Sequence, residues 1–510
     1  MARRRDTTLN TRTELLPIKP DAPHVVVIGA GFGGLAAATR LLVRGYRVTV
    51  VERLDQPGGR ARVFKQDGYT FDAGPTLITA PFLFDELWEL AGKRREDTVE
   101  FVPIDPFYRI RLDSGEVFNY TGDAEAMRQE IARFNPADVD GFERFLKKSE
   151  RIFEVGFTKL GHVPFGRASD MVRIAPSMIA LESYRTVYGL VSKYIKDPRL
   201  RQVFSFHPLL VGGNPFSTTS IYTLITFLER KWGVWYAMGG TGTLVRGLAD
   251  LITDLGGTFR FGETVEEITV DRGKATGVRL ASGEHIPADL VVSNADVAWT
   301  YKHLIRPEHR RKWTDAKIGR ARLSISLFVW YFGTDRTYDD VAHHTILLGP
   351  RYLGLLKDIF HHHKLTEDFS LYLHRPTATD PGMAPEGHDA FYVLSPVPHL
   401  DSGTDWQAET ERYRRRMEHY LEGTVLPNLS EHLTTSLTLT PQGFLDDYLS
   451  VKGSAFSFEP ILAQSAYFRP HNKSEDVEGL YLVGAGTHPG AGMPGVLSSA
   501  RVLDSVVPDP

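Results

Sequence analysis

The chain has 510 residues, 42% of them hydrophobic and 24% charged, and this length and balance predict a globular protein with more than one domain. A formal net charge of −4 supplies no basic excess for binding nucleic acid. The sequence contains no cysteine, which excludes disulfides, iron–sulfur clusters, thiol nucleophiles and a cysteinyl–flavin bond, and fits a reducing compartment.

Residues 1–22 predict a flexible extension, because Arg3, Arg4 and Arg5 are not followed by the apolar core of a signal peptide. A basic tail that contacts anionic lipid is the alternative. No run reaches the roughly 18 apolar residues of a spanning helix, and the densest, residues 325–332, has the length of one buried strand. We therefore expect a protein that does not span a membrane but can lie on its surface.

The first strong motif is a strand that runs into glycines. Residues 25–28 are apolar and β-branched, the glycines Gly29, Gly31 and Gly34 follow with the spacing G-x-G-x-x-G, and small helix-forming residues come next. This order predicts a buried parallel strand, a tight turn and a helix N-terminus that cradles a pyrophosphate. A second apolar strand, residues 48–51, ends at Glu52, where a ribose-binding carboxylate belongs. The motif predicts a dinucleotide site and leaves NAD and FAD equally open.

Further along, the Pro-Gly-Gly turn at residues 57–59 precedes Arg60 and Arg62, which are cations for a pyrophosphate or members of a solvated loop. A short strand at residues 69–71 leads into a small-residue turn. Residues 80–230 read largely as helices. Within them, residues 176–195 show a helical apolar stripe with cations around it, which predicts either a buried core helix or a helix on a membrane surface.

The pattern changes after residue 232. Glycines at residues 239–242 precede a helix predicted at 244–255, and a meander follows with strands at 258–261, 265–270, 275–280 and 290–292. Such a segment would return the chain to the nucleotide domain. Strands and helices mix from about residue 300 to 470. A second glycine-rich run, residues 480–496, again predicts a buried strand that meets glycines at a helix start, with the helix at about 496–507.

Together these motifs resemble the bacterial-type phytoene desaturases, FAD-dependent carotenoid desaturases of the carotenoid/retinoid oxidoreductase family. The likeness extends from about residue 25 to 502, and the stretches at 205–216 and 480–496 are its most specific parts. The matching stretches are VIGAGFGG (27–34), PGGRA (57–61), FDAGPT (71–76), SFHPLLVGGNPF (205–216), ERKWGVW (229–235), GGTG (239–242), SNAD (293–296) and LYLVGAGTHPGAGMPGV (480–496).

The resemblance implies FAD and assigns residues to it by position. Gly29, Gly31 and Gly34 would contact the pyrophosphate, Glu52 the adenosine ribose, and Arg60 the phosphates. Val265 would present backbone groups to the adenine. The isoalloxazine and its ribityl chain would be lined by Gly486, Met493, Pro494 and Val496. An acid–base pair proposed for the family corresponds to Asp170 and Arg173, which share a helix face at i and i+3; an ordinary surface ion pair is the alternative.

The resemblance also implies an α/β fold with α+β parts. A Rossmann-like FAD-binding domain, discontinuous in sequence, would use residues 23–92, 232–300 and 470–508. A mixed-sheet substrate domain would use residues 93–160 and 301–469, and a helical cap, with a possible membrane contact, residues 161–231.

The implied activity is multi-step dehydrogenation of the C40 hydrocarbon phytoene to neurosporene or lycopene, with hydride transfer to flavin N5. The partners would be phytoene, its desaturated intermediates and the cytoplasmic side of the cell membrane, where the protein would be peripheral, with no nucleic acid. Because the glycines at residues 484–492 do not have the G-x-G-x-x-G spacing of a second nucleotide site, we expect oxygen or a quinone to re-oxidise the flavin. The alternatives are a desaturase or isomerase of another acyclic carotenoid, and a flavin-free escort protein that binds isoprenoids.

Two histidine features predict no metal site. The three adjacent residues at 361–363 cannot all face one ion and favour a solvated loop. His488 lies in the flavin-side motif, and because the resemblance implies non-covalent FAD we interpret it as structural or near the site.

Overall fold

The structure is a computed structural model and describes residues 18–510. Most of the predicted N-terminal extension, residues 1–17, therefore lies outside the described residues. In the part described, no helix combines the length and the apolar character needed to cross a bilayer.

Nineteen strands are present in this range. They are β1 (His24–Ile28), β2 (Arg47–Glu52), β3 (Val63–Gln66), β4 (Tyr69–Asp72), β5 (Phe101–Pro103), β6 (Tyr108–Arg111), β7 (Val117–Tyr120), β8 (Trp235–Ala237), β9 (Thr258–Phe261), β10 (Val265–Asp271), β11 (Lys274–Leu280), β12 (His285–Pro287), β13 (Leu290–Ser293), β14 (Ser326–Thr334), β15 (His344–Leu347), β16 (Leu371–His374), β17 (Asp389–Val397), β18 (Leu433–Leu439) and β19 (Leu480–Leu482).

Sixteen α-helices accompany them between residues 18 and 510. They are α1 (Phe32–Val43), α2 (Pro81–Leu90), α3 (Ala124–Phe134), α4 (Val139–Phe153), α5 (Ala168–Ala180), α6 (Val187–Tyr194), α7 (Pro198–Ser205), α8 (Leu224–Trp232), α9 (Thr241–Asp254), α10 (Val297–Trp299), α11 (Asp315–Arg320), α12 (Tyr352–Phe360), α13 (Trp406–Glu422), α14 (Leu429–His432), α15 (Pro441–Tyr448) and α16 (Met493–Val506).

A five-stranded parallel sheet, ordered β19-β13-β1-β2-β9, carries both glycine-rich runs. Helix α1 lies against this sheet and packs against both α9 and α16. The sheet is buried on both faces, which explains why β1 reads as an unbroken apolar run rather than an alternating one. The predicted strands and the helices at both glycine runs are confirmed, and the meander β10-β11-β12 forms a separate antiparallel sheet.

A seven-stranded mixed sheet, ordered β18-β14-β17-β16-β15-β6-β7, forms the second large layer. Its strand β14 contains all but the first residue of the apolar run predicted as one buried strand, and all nine residues of β14 are buried. The alternation of side chains sends Phe328, Trp330 and Phe332 into a core against α13, whereas Val329 and Tyr331 enter a core on the opposite face. The two faces therefore belong to two different hydrophobic cores.

The sheets correspond to an α/β nucleotide-binding part and a mixed-sheet part, which confirms the predicted fold class. Strands from residues 24–52, 258–261, 290–293 and 480–482 share one sheet, as a discontinuous domain requires. The numerical domain boundaries stay predictions.

The prediction of one helix over residues 176–195 is wrong. Pro176 lies inside α5, which ends at Ala180, and a turn leads into α6. Leu190 and Val191 are buried, whereas the Ile179 side chain is 66% exposed. The stretch thus consists of the exposed end of α5 and the buried helix α6. The spacing of apolar residues in the sequence does not reveal the turn between them.

Candidate active site

A single cavity of about 560 Å³ connects the five-stranded sheet with the seven-stranded sheet. The cofactor-binding residues predicted from the sequence line it with one exception, Gly34. Those that line it are Gly29, Gly31, Glu52, Arg60, Val265, Gly486, Met493, Pro494 and Val496. Residues from three distant parts of the chain therefore meet around one space.

Gly34 serves the packing of the turn rather than contact with the cavity. A Cβ atom at this position would lie 2.0 Å from the backbone oxygen of Gly29. Its neighbour Gly33, which lines the cavity, would place a Cβ atom 2.4 Å from Oδ1 of Asn294. The third glycine of the motif thus allows the helix to start directly against the strand end, as close helix–strand packing demands.

Glu52 ends β2 beside this turn and is 5% exposed. Its Oε2 accepts a hydrogen bond from the backbone N–H of Ala30 at 2.7 Å, and its Oε1 accepts one from Leu54 at 2.9 Å. Burial raises the pKa of the carboxyl, and the two backbone donors oppose that rise. The carboxylate is therefore held at the edge of the cavity, with lone pairs left for hydroxyl donors.

Arg60 supplies a half-buried cation at the same place. The backbone N–H of Gly58 donates to Ala30 O at 2.8 Å, which brings the Pro-Gly-Gly turn onto the first glycine turn. The Arg60 guanidinium donates to Ser450 Oγ, but its Nε is buried with no partner among the described residues. Burial lowers the Arg60 pKa and raises that of Asp296, and each charge opposes the shift of the other. A buried, unused donor atom on a half-buried cation beside a glycine turn fits a diphosphate.

The second glycine run reaches the cavity from the other side. Helix α16 begins at Met493, and Gly492 before it has φ +89°, a conformation that favours glycine. A Cβ atom at Gly486 would lie 2.2 Å from Cγ1 of Val297, so the chain passes here without room for a side chain. The residues predicted to line the isoalloxazine are thereby gathered beside those predicted for the diphosphate, and the set fits FAD.

Asn294 is a site residue that sequence reasoning did not single out. Its side chain lies within contact distance of Gly31, Gly33 and Gly484, and it therefore fills the space between the two glycine runs. The motif SNAD at the end of β13 was the available signal. Its role depends on β13 lying between β1 and β19, and that strand order is decided only by the tertiary structure.

Asp170 and Arg173 are brought together, but neither lines the cavity. The Asp170 carboxylate accepts a hydrogen bond from the Arg167 backbone N–H at 3.0 Å, closing the N-terminus of α5, and its other oxygen lies 3.4 Å from Arg173 Nη2. The Arg173 side chain is 67% exposed. A helix cap accounts for the carboxylate, so the acid–base role stays a prediction.

The far end of the cavity is lined by apolar and aromatic side chains with a hydrogen-bonded wall. Thr76 Oγ1 lies 2.8 Å from the Tyr392 hydroxyl and 3.3 Å from that of Tyr372, and the Tyr331 hydroxyl donates to Ala73 O at 2.6 Å. These bonds join the turn after β4 to strands β14, β16 and β17. The turn predicted from the sequence is thus part of the wall between the two sheets.

Asp72 ties two of the sequence motifs together. Its Oδ1 accepts a hydrogen bond from the Thr241 backbone N–H at 2.8 Å, at the start of α9. Its Oδ2 is buried with no partner in the described part of the chain. Burial raises the pKa of this carboxyl to about 7, and the α9 amides only partly offset the rise. The FDAGPT and GGTG motifs therefore meet at one buried carboxyl group.

The predicted histidine features lie in different environments. His361 and His362 are exposed at the end of α12, as predicted for a solvated loop. His488 lines the cavity with its Nε2 3.0 Å from Leu160 O, and burial lowers its pKa to about 4. A neutral imidazole that donates to a backbone carbonyl is a structural contact, which agrees with its interpretation as a near-site residue.

Comparisons with known proteins agree with this geometry. The family described as flavin containing amine oxidoreductase matches residues 32–502 of the chain. A phytoene desaturase (neurosporene-forming) of Rhodobacter capsulatus is 49% identical over 492 residues, which cover 95% of this chain and 94% of that protein. A phytoene desaturase (lycopene-forming) of Pseudescherichia vulneris is 50% identical over 483 residues, which cover 94% of this chain and 98% of that protein.

The fold is shared with solved structures at much lower identity. An oxidoreductase from Methanosarcina mazei aligns with 94% of this chain and 100% of its own, with a TM-score of 0.61 and 20% sequence identity. This chain therefore belongs to the flavin-containing amine oxidoreductase family, in the same group as these bacterial phytoene desaturases.

Proposed function

We propose that the chain is an FAD-dependent desaturase that converts phytoene, in several steps, to neurosporene or lycopene. The observation that carries the proposal is the single cavity, which joins the residues of the FAD site to a chamber with apolar walls. The chamber is lined, among others, by Leu209, Leu327, Val329, Ile346, Leu394 and Phe444. The names of the relatives at 49% and 50% identity support phytoene as the substrate.

FAD, when bound, supplies the acceptor for the hydride that a dehydrogenation removes. The residues of the chain bind and orient. Glu52, Arg60 and the glycine turns hold the cofactor, while the chamber places a substrate without polar groups by its shape and excludes water from it. Since one methylene changes binding by only about 1–3 kcal/mol, one chamber accepts successive intermediates that differ by a double bond.

The activity is tested by giving the FAD-loaded protein phytoene in liposomes and following the absorbance of the lengthening polyene. New long-wavelength bands support the desaturase, and pigment analysis separates neurosporene from lycopene. Isomerisation without an increase in double bonds would favour the alternative of a carotenoid isomerase. A colourless protein that cannot be loaded with FAD would favour the isoprenoid-binding alternative.

We further propose that the outer face of α5 contacts the cytoplasmic surface of the cell membrane, where a C40 hydrocarbon is stored. Met171, Ile174 and Met178 of this helix line the cavity, whereas Val172 and Ile179 are 75% and 66% exposed. The segment Ala466–Phe468, which packs near α5, exposes Phe468 as well. Apolar side chains on both sides of one helix would let the substrate pass from lipid into the chamber.

The membrane proposal is tested by flotation with liposomes. The double variant Val172→Gln/Ile179→Gln should stay with the soluble fraction, because both side chains are exposed and their replacement leaves the core intact. The control is Leu353→Gln, which changes an exposed leucine of α12 and should float like the parent chain. Equal flotation of all three proteins would refute the assignment to α5.

For the electron acceptor we propose oxygen or a membrane quinone. Gly490, Gly492 and Gly495 repeat the G-x-G-x-x-G spacing, but they line the same cavity as the first glycine turn and therefore do not form a separate site for a nicotinamide cofactor. The enzyme reduced by phytoene without oxygen should be re-oxidised by added quinone or by air. Re-oxidation by NAD⁺ alone at the rate of turnover would contradict this proposal.

A further inference from the structure

A cluster of three buried histidines lies in the seven-stranded sheet, outside the lining of the cavity. His344 and His374 are opposite each other in the antiparallel pair β15–β16, and His343 immediately precedes β15. One ring nitrogen of each residue lies within 4.8 Å of those of the other two. The three side chains are at least 95% buried, with relative exposures of 5%, 0% and 0%. Antiparallel register, not sequence proximity, brings these imidazoles together.

The cluster has hydrogen-bonding capacity that the protein does not use. The Nε2 atoms of all three histidines are buried without a partner among residues 18–510, and so is the hydroxyl of Tyr236, whose ring centroid lies 4.8 Å from that of His343. A buried polar group without a hydrogen-bond partner destabilises the folded state. Four such groups in one place indicate an occupant that supplies their missing partner.

The Nδ1 atoms, by contrast, are engaged. His343 Nδ1 lies 2.6 Å from Thr379 Oγ1, and His344 Nδ1 lies 2.8 Å from the Tyr372 hydroxyl. His374 Nδ1 lies 3.4 Å from His344 Nδ1. These bonds orient the rings, as the outer contacts of metal-binding histidines do.

The surrounding charges suit a cation. A neutral imidazole keeps a lone pair on one ring nitrogen, which is the group that binds a metal. Two carboxyl groups, those of Asp72 and Asp380, lie near the adjacent Tyr236. The nearby cation Arg375 is paired with Asp389 at 2.9 Å and with Asp339 at 3.1 Å.

We propose that His343, His344 and His374 bind one divalent transition-metal ion of the Zn²⁺ type, with a fourth position open beside Tyr236. Bonds of about 2.0–2.1 Å in a tetrahedral site separate ligand nitrogens by roughly 3.3 Å. One ring nitrogen of each histidine already lies within 4.8 Å of the others, so the ligand atoms must approach one another by no more than about 1.5 Å.

The ion would reinforce the wall of the chamber. His344 contacts Tyr372, and Tyr372 contacts Thr76, which lines the cavity. A metal bound to β15 and β16 would fix these two strands and, through Tyr372, the turn that closes the chamber. The site is structural, requires no redox step, and does not depend on the proposed substrate.

The test uses the untagged, FAD-loaded full chain, stripped with a chelator and titrated with Co²⁺ as a spectroscopic probe. We expect one equivalent of Co²⁺ per chain, visible absorption bands of tetrahedral cobalt, and a rise in melting temperature on loading. The double variant His344→Gln/His374→Gln should bind less than a tenth as much. The variant His361→Gln/His362→Gln/His363→Gln, in which the more exposed tract is removed, should bind like the parent chain.

Equal Co²⁺ binding by the parent and the double variant would overturn the proposal. Binding of less than one equivalent by the parent would do so as well, and so would a loss of Co²⁺ binding in the 361–363 variant instead of the double variant. The melting-temperature arm needs no variant, so it decides the question even if the double variant does not fold. An unchanged melting temperature of the parent in Co²⁺ would mean that buried water, not a metal, satisfies the cluster.

Discussion

The part of the cavity at the five-stranded sheet and the part at the seven-stranded sheet are suited to different kinds of ligand. Around the first, binding depends on the backbone: glycine turns let the chain approach a cofactor, and Glu52 and Arg60 add a charge at each side. Around the second, it depends on side chains from strands far apart in sequence, such as β14, β15 and β17, which form an apolar wall. A charged cofactor is recognised by a few local contacts, whereas a hydrocarbon requires a large surface of matching shape.

The substitution with the largest expected effect on cofactor binding is Gly34→Ala. The added Cβ would lie 2.0 Å from the oxygen of Gly29, and since this contact is with backbone the turn must shift. We expect loss of bound FAD and a fall in unfolding free energy of at least about 3 kcal/mol. Flavin absorbance per chain and urea unfolding measure both effects.

The matched control is Gly319→Ala, which also lies in a helix but has no atom within 4 Å of the new Cβ. It should retain FAD and gain about 0.5–1 kcal/mol, because alanine is the better helix former. If both variants kept their flavin, the close packing of the first turn would not be needed for binding.

The buried carboxyl group of Asp72, which joins the turn after β4 to the start of α9, is tested by Asp72→Asn. The carboxyl has a pKa of about 7 in the folded chain, above the ~3.9 of an unfolded one, so the folded state binds more protons between these values. The stability it contributes is present at low pH and is lost as pH rises through 7. Between pH 5.5 and 7.5 the parent should therefore lose about 2 kcal/mol relative to the variant.

Urea unfolding of both proteins at the two pH values measures this difference. Asp254→Asn, which removes an exposed carboxylate paired with Lys93, serves as the control and should leave the pH dependence of the parent unchanged. Parallel stability curves for the parent and Asp72→Asn would show that the carboxyl is ionised in the folded protein.

On the substrate side, Leu394→Phe places a larger ring into the chamber from β17. Leu394 is half-buried and lines the cavity, so the ring narrows the space without entering the core behind the sheet. We expect roughly tenfold slower desaturation, about 1.4 kcal/mol, with unchanged FAD content. Pigment analysis should show products with fewer double bonds. Loss of FAD in this variant would mean that the two sides are not separable.

The smallest effect is expected for Asp170→Asn. Because the carboxylate caps α5 and does not line the cavity, the variant should lose about 0.5–1 kcal/mol of stability and keep its activity within about threefold. Thermal unfolding and initial rates measure both. A loss of two orders of magnitude in rate with normal FAD content would instead establish Asp170 as part of an acid–base pair.

Much of the cofactor side could be predicted from sequence because its signals are local. A strand followed by Gly29, Gly31 and Gly34 defines the strand, the turn and the helix start within ten residues, and Glu52 lies at the end of the next strand. The strand β14 and the meander could also be predicted, because consecutive residues determine the lengths of these strands and the positions of their turns.

The chamber side was less predictable. The break between α5 and α6, the place of Asn294 between the glycine runs, and the meeting of His344 with His374 all depend on packing or register between distant segments. The residues near His343 in sequence do not predict its contact with His374. The antiparallel pairing of His344 with His374 is a long-range contact, and its register is set by which faces of the strands are buried.

By itself, then, the sequence determined the glycine turns, the adjoining strands and the charges that a diphosphate cofactor needs, because each arises from the conformational limits of a few neighbouring residues. Only the tertiary structure decided strand order, the wall of the chamber, the position of Asp170 outside the cavity lining and the cluster of three histidines. Those features arise where burial of apolar surface selects one pairing of distant segments, and the reason for that selection is spread over the whole core.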